Sequence, residues 1–145
     1  MNKILLFGVF SLIAANLASG HCQIPCGIYG DDTRFTLMLE NGATIRKSAA
    51  SITALGDESP LNHNQIVRWV SNKEKHANEI IEICAHYFLA QRIKEGQDDY
   101  DAKLKLIHGI IVAAMKTKQG LAIENIDTLE AKIKAFREVY TGHTH

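Results

Sequence analysis

The side chains best suited to chemistry lie in residues 21–29, which read His-Cys-Gln-Ile-Pro-Cys-Gly-Ile-Tyr. His21, Cys22 and Cys26 bring an imidazole and two thiols together within six residues. If the chain is cleaved after Gly20, His21 also gains a free α-amine. Nitrogen and thiolate donors favour late transition metals and disfavour magnesium and calcium. We therefore predict that this segment binds a metal.

Residues 1–20 have the composition of a cleaved leader. Lys3 supplies a positive charge, residues 4–18 are almost wholly apolar, and the small residues Ala18 and Gly20 precede the expected cut. This order is typical of a secretory signal. It predicts a processing peptidase acting at Gly20–His21 and export to the periplasm or the extracellular space.

Two alternatives to a secretory signal remain open. The first is an uncleaved N-terminal anchor, although the apolar run is short for a membrane span, which needs about 20 residues. The second is a cytoplasmic protein whose propeptide is removed by a dedicated protease. No later apolar stretch is long enough to span a bilayer, so we expect no membrane partner after processing.

Length and charge narrow the function classes. The chain has 145 residues, and the part after residue 20 is long enough for one domain with a buried core. The full chain has 16 basic and 16 acidic residues, so its net charge is close to zero. Loss of Lys3 with the leader changes the net charge by only one unit. No basic face is indicated, so we expect no nucleic-acid partner.

Three cysteines are an odd number for an exported protein, in which a disulfide framework prefers an even count. Cys22 and Cys26 could pair with each other. Cys84 lies in an apolar helical run, where a cysteine commonly packs as a small hydrophobic side chain. The tail residues His143 and His145 could bind a metal weakly.

The rest of the chain predicts four helices. They cover about Arg34–Leu55, Asn64–Lys94, Asp99–Gln119 and Glu124–Tyr140, and Asp31-Asp32-Thr33 is expected to cap the first. Glycine-rich and polar stretches separate them.

Apolar side chains that recur at spacings of three and four predict the buried face of each helix. Four such helices with short connections pack best as an all-α four-helix bundle. We expect a leader at 1–20, a metal-binding hook at 21–30 and the bundle at 31–145. The predicted inward side chains are Phe35, Met38, Ile45, Ala49 and Ile52; Ile66, Trp69, Val70, Ala77, Ile80, Ile81, Cys84, Tyr87 and Phe88; Leu104, Ile107, Ile111, Ala114 and Met115; and Ile126, Leu129, Ile133, Phe136 and Tyr140.

The nine residues from His21 to Tyr29 resemble the N-terminal hook of nickel-containing superoxide dismutases. The layout of a hook followed by a helical domain is also similar, as are the patches Arg68-Trp69-Val70 and Tyr87-Phe88. The resemblance implies a four-helix bundle, a homohexamer and one nickel ion per subunit. It also implies an enzyme that disproportionates superoxide to dioxygen and hydrogen peroxide by Ni(III)/Ni(II) cycling.

The resemblance further implies the ligands. These are the α-amine and imidazole of His21, the backbone nitrogen and thiolate of Cys22, and the thiolate of Cys26. Two nitrogens and two sulfurs in a plane suit Ni(II), which favours square-planar sites. The imidazole is implied to be the axial ligand of the oxidised ion.

Other hook residues also have implied roles. The bond before Pro25 is implied to be cis, and Tyr29 is implied to line the substrate channel as a catalytic residue beside His21. The phenol of Tyr29 can donate one hydrogen bond to a small anion or water. The alternative is that Tyr29 only packs at the base of the first helix.

An imidazole that binds a metal needs a partner that orients its ring. The resemblance implies a glutamate from the first helix and a basic residue from the second. Glu40 is the candidate for the first, and the spacing indicates Lys73 for the second.

Two other function classes remain possible on the sequence alone. One is an exported helical metal-binding or metal-carrier protein that uses the same hook without turnover. The other is a structural helical domain in which Cys22 and Cys26 form a disulfide.

Overall fold

The computed structural model describes residues 30–142 of the chain. This part is helical and contains no strand. The prediction of an all-α four-helix bundle is confirmed. The helices are α1 (Asp31–Gly56), α2 (His63–Glu82, continued by a π-helical segment, Ile83–Arg92), α3 (Tyr100–Gln119) and α4 (Ile123–Thr141).

The helices form an antiparallel ring in which each packs on the next in sequence and α4 closes the ring on α1. The first turn of α1 meets the end of the π-helical segment, where Arg92 contacts Asp31, and the end of α4, where Arg137 contacts Asp32. At the far end of the bundle, Lys73 of α2 meets the last carbonyls of α3. The hook segment therefore joins the end of the bundle that holds Arg92 and Arg137.

Most of the predicted inward side chains form one continuous core. Phe35, Phe88 and Phe136 are fully buried and contact one another with ring centroids 4.9–5.4 Å apart. Tyr140 adds a fourth ring to this cluster. These aromatic rings lie beneath the end of the bundle at which the hook segment attaches.

The start of α1 differs from the prediction. The helix begins at Asp31 rather than Arg34, and Gly30, which has no side chain to cap it, is the N-cap. Asp31 and Asp32 do not cap backbone N–H groups, because their carboxylates bind side chains of α2 and α4 instead.

The predicted inward face of α2 is buried only from Lys73 onward. Val70 was predicted to face the core but is 39% exposed. The reason is that α3 ends at Gln119, beside Lys73, so the first turns of α2 extend past it and have no α3 surface to pack on.

Met115 was also predicted to face inward and is 49% exposed. The polar Thr117 is buried in its place, because its hydroxyl donates to the carbonyl of Ala114 at 2.7 Å and so needs no water. The face of α3 that meets the core runs through Ile107, Ile110, Ala114 and Thr117.

The interpretation of Cys84 as a packing residue is confirmed. Its side chain is fully buried, and its sulfur lies 3.9 Å from that of Met38. Burial raises the pKa of the Cys84 thiol to about 12. Among the helices that the structure describes, none combines the length and apolar character needed to cross a membrane.

Candidate metal centre and its attachment to the bundle

The predicted ligands and catalytic residues, His21, Cys22, Cys26 and Tyr29, lie outside the described residues, as does the bond before Pro25. The tail residues His143 and His145 also lie outside them. What the structure shows is the attachment point of the hook segment. Gly30, its last residue, has an extended backbone, and α1 begins at the next residue.

The carboxylate of Asp31 is held by three side chains from two other helices. Arg92 Nε donates to its Oδ1 at 3.0 Å, and the hydroxyl of Tyr87 donates to the same oxygen. Tyr140 donates to Oδ2 at 2.8 Å. We call these four residues the Asp31 cluster. It ties the first residue of α1 to α2 and α4 at once.

The π-helical segment brings Tyr87 and Arg92 together. In an α-helix, residues five apart point about 140° away from each other. A π-helix bonds each residue to the one five positions on, as the amide of Ile93 does to the carbonyl of Phe88 at 3.0 Å. Arg92 Nη2 accordingly donates to the hydroxyl of Tyr87 at 3.0 Å. Both side chains therefore reach Asp31.

Cations also contact the ring of Tyr87. The guanidinium carbons of Arg34 and Arg92 each lie 4.9 Å from its centroid, a distance typical of cation–π contacts. Burial, and next the hydrogen bond to Asp31, raise the pKa of Tyr87. The same two causes, in the same order, raise the pKa of Tyr140. Both phenols therefore remain protonated donors at neutral pH.

The neighbouring carboxylate is held much less firmly. Within residues 30–142, the carboxylate of Asp32 accepts one hydrogen bond, from Arg137 at 2.6 Å. The two side chains are 70% and 44% exposed, respectively. An exposed pair of this kind contributes little to stability. Asp31, at 36% exposure and with three donors, is the stronger attachment.

Of the two predicted partners of the His21 imidazole, Lys73 is already engaged. Its ammonium donates to the carbonyls of Thr117, Lys118 and Gly120 at 2.6, 2.7 and 3.2 Å. An ammonium has three N–H groups, so none is left for an imidazole. Lys73 terminates α3 instead, and we do not retain it as a partner.

The position of Lys73 along the bundle also argues against it as a partner of the His21 imidazole. Its neighbour Asn72 donates to Ser48 of α1 at 2.9 Å. Ser48 lies about 25 Å along α1 from Asp31. Glu40, the other predicted partner, is exposed on α1 and closer to the attachment point. Because His21 is not described, Glu40 stays a prediction.

A cleft of about 480 Å³ lies between α1 and α2 on the side of the Asp31 cluster. On its α1 wall, Asn41 Oδ1 lies 2.6 Å from Nδ1 of His76 on α2. Nδ1 of His76 also lies 3.2 Å from Glu79. Within residues 30–142, no three histidine, cysteine or acidic side chains are grouped so that they could hold a metal ion.

Sequence reasoning missed the Asp31 cluster. Asp31 was interpreted as a cap, Tyr87 and Tyr140 as core residues, and Arg92 was given no role. The available signal was Arg92 itself, a charged residue five positions after a tyrosine at the end of a long apolar face. Only the π-helical register turns that spacing into a contact.

The model of one protein family matches residues 16–144, and that family is described as nickel-containing superoxide dismutase. The match takes in the predicted ligand residues and all four helices of the described part. No curated protein and no solved structure matches the chain.

Proposed function

The chain belongs to the family of nickel-containing superoxide dismutases, and we propose that His21, Cys22 and Cys26 hold its nickel. The observation that carries this proposal is the family match, which spans the segment containing these residues. The predicted family, the enzyme class (an oxidoreductase) and the nickel cofactor are confirmed. Superoxide fits as the substrate. Membership of an enzyme family disfavours both a carrier without turnover and a purely structural domain.

The chemistry of the donor set fits nickel. After cleavage before His21, the chain offers an amine, an imidazole, an amide nitrogen and two thiolates. Nitrogen and sulfur donors suit Ni(II). A free α-amine exists only when no residue precedes His21, so processing at Gly20–His21 controls whether the site can form. We propose residues 1–20 as the cleaved leader and residues 21–30 as the hook.

When bound, nickel supplies one-electron chemistry by alternating between Ni(III) and Ni(II), so that one superoxide loses an electron to give dioxygen and a second gains it, with two protons, to give hydrogen peroxide. The residues of the chain bind and tune the metal. The amide nitrogen and the thiolates of Cys22 and Cys26 are strong donors that favour the higher oxidation state. The phenol of Tyr29 donates a hydrogen bond that holds a small anion or water at the site.

We also propose a homohexamer with one nickel ion per subunit, exported to the periplasm or the extracellular space. The resemblance of the hook supports the assembly. Large apolar side chains exposed along the outer faces of α2 and α3, among them Val67 at 62% and Met115 at 49%, provide surface that neighbouring subunits would cover. Sedimentation velocity on the processed, nickel-loaded protein tests the proposed homohexamer, because a stable monomer would contradict it.

The experiment that tests the function compares three preparations in a superoxide turnover assay. They are the protein processed to His21 and loaded with nickel, the same protein without metal, and the same protein loaded with zinc. We expect turnover from the nickel form alone, because zinc has no accessible redox couple. Equal turnover by the metal-free form would overturn the proposal.

A further inference from the structure

We propose that Asp31 is a positioning residue for the nickel site, because its carboxylate fixes the point and the direction in which the hook segment leaves the bundle. This inference rests on the proposed function. Asp31 is two residues after Tyr29 and five after Cys26. A chain of five residues spans at most about 18 Å, so the position of Asp31 limits where the metal ligands can lie.

The geometry of the Asp31 cluster holds the carboxylate from two directions. Oδ1 accepts from Tyr87 and Arg92 on the π-helical segment, and Oδ2 accepts from Tyr140 on α4. Donors on two helices prevent both rotation of the carboxylate and sliding of the first turn of α1. Hydrogen bonds to a charged acceptor are also about twice as strong as neutral ones.

The local sequence makes such an attachment necessary. The first turn of a helix has unsatisfied N–H groups and frays unless it is capped. Gly30 supplies no capping side chain. The Asp31 cluster supplies the attachment that a capping side chain would otherwise give, because it binds the first residue of α1 to α2 and α4.

Nearby residues distinguish the proposed positioning role of Asp31 from a contribution to the stability of the fold alone. The rings of Phe35, Phe88 and Phe136 beneath are each 0% exposed, and as apolar side chains they make no hydrogen bond to Asp31. Asp32 has the same side chain one residue later, and within residues 30–142 its carboxylate is bound by the exposed Arg137. If a carboxylate in the first turn served only the helix dipole, Asp31 and Asp32 would be equivalent.

The test compares Asp31→Asn with the matched control Asp32→Asn in the full, processed, nickel-loaded protein. Three quantities are measured: the melting temperature of the nickel-free form, the rate at which excess EDTA removes nickel, and superoxide turnover. We expect Asp31→Asn to release nickel at least about tenfold faster and to lose turnover to a similar extent. Asp32→Asn should match the wild type in nickel release and turnover.

Two further variants keep the outcome interpretable. Tyr140→Phe removes one donor to Asp31 and keeps the ring in the core, so it should show a smaller change in the same direction. Ile133→Val shortens a fully buried core side chain about two turns along α4 from Tyr140, so it should lower the melting temperature and leave nickel release unchanged. It shows what destabilisation alone does.

The inference is overturned if Asp31→Asn releases nickel and turns over like the wild type while only its melting temperature falls. It is also overturned if Ile133→Val speeds nickel release as much as Asp31→Asn does. Failure of the proposed function gives a different result, because the wild type itself would then either retain no nickel in the EDTA experiment or retain it and show no superoxide turnover.

Discussion

At the scale of single residues, burial separates Cys84 from the role proposed for Cys22 and Cys26. Cys84 is fully buried, and its thiol, with a pKa of about 12, stays protonated at neutral pH. A metal ligand or nucleophile must be a thiolate. Cys22 and Cys26 are the cysteines that we propose bind nickel.

Replacing each cysteine in turn tests this division. Cys22→Ser and Cys26→Ser should each abolish nickel binding, because a neutral hydroxyl is a poor donor to nickel. Cys84→Ala should keep one nickel ion per subunit and lose about 1 kcal/mol of stability through a small cavity. Metal analysis and urea unfolding provide the two measurements. Equal nickel loss in all three variants would mean that the site is misassigned.

The imidazole of His21 can be separated from its α-amine. His21→Ala keeps the amine, the amide nitrogen and both thiolates, so we expect nickel to remain bound as Ni(II). Without the imidazole, the oxidised state loses a donor, and turnover should fall by at least about tenfold. Nickel analysis, electron paramagnetic resonance and the turnover assay measure these effects. Near-normal turnover would show that only the amine of His21 matters.

At the scale of the elements, Lys73 is a residue of α2 whose side chain caps the C-terminal end of α3. Its ammonium is 3% exposed and satisfies three carbonyls at the end of α3. Burial lowers the pKa of Lys73, and the three hydrogen bonds that its ammonium donates offset part of the cost of burying the charge. The interaction joins α2 to the end of α3 through three hydrogen bonds.

Lys73→Met should therefore destabilise the bundle. It leaves the three carbonyls without their donor, at least one of them buried, and the expected loss is about 2–3 kcal/mol. The matched control is Lys75→Met, two residues away, whose side chain is 70% exposed and whose nearest acid, Glu79, is 3.7 Å distant. Urea unfolding of the nickel-free protein measures both. A loss no larger than that of the control would show that water replaces the ammonium.

Tyr140, one of the two tyrosines in the Asp31 cluster, gives the stability of the fold an alkaline pH dependence. Tyr140 faces Asp31 on α1, Tyr87 and Arg92 on α2, and Lys103 on α3. Its pKa is raised in the fold above the unfolded value of about 10. The folded state thus holds the proton more tightly, so its stabilisation is complete below about pH 10 and is lost as the pH rises through the folded pKa.

We expect the stability difference between the wild type and Tyr140→Phe to be constant from about pH 7 to 9 and to shrink above pH 10. Comparing the two proteins cancels the titration of groups that they share. Thermal unfolding at each pH measures the difference. A difference that grows above pH 10 would contradict the assignment of Tyr140 as a donor to Asp31.

The elements also show what the sequence could predict. Apolar spacing identified all four helices, and most boundaries agree within two residues, because spacing and breakers are local properties. It failed for Val70 and Met115, where burial depends on where a neighbouring helix ends and on whether a polar residue such as Thr117 can satisfy itself. The meeting of Tyr87 and Arg92 on Asp31 depends on a π-helical register, which apolar spacing does not indicate.

On the scale of the whole molecule, we assign structural support and metal binding to two different parts of the chain. The bundle provides a rigid end marked by the Asp31 cluster, and the hook segment that precedes it carries all the proposed ligands. The proposed hook could be inferred from the sequence alone because its donors are adjacent in sequence, so the motif from His21 to Tyr29 required no knowledge of the fold. Residues that orient the ligands from other helices cannot be inferred in this way, as Lys73 shows, because sequence spacing did not reveal that its ammonium binds the end of α3.

The most direct test of the account is native mass spectrometry of the active enzyme, with fragmentation that locates the metal. The account predicts a chain that begins at His21 and carries one nickel ion, which stays with the first six residues on fragmentation. A variant that retains Gly20 should fold but bind no nickel tightly and show no turnover. Full activity from a chain that retains Gly20, or nickel bound to the helical part, would contradict the account.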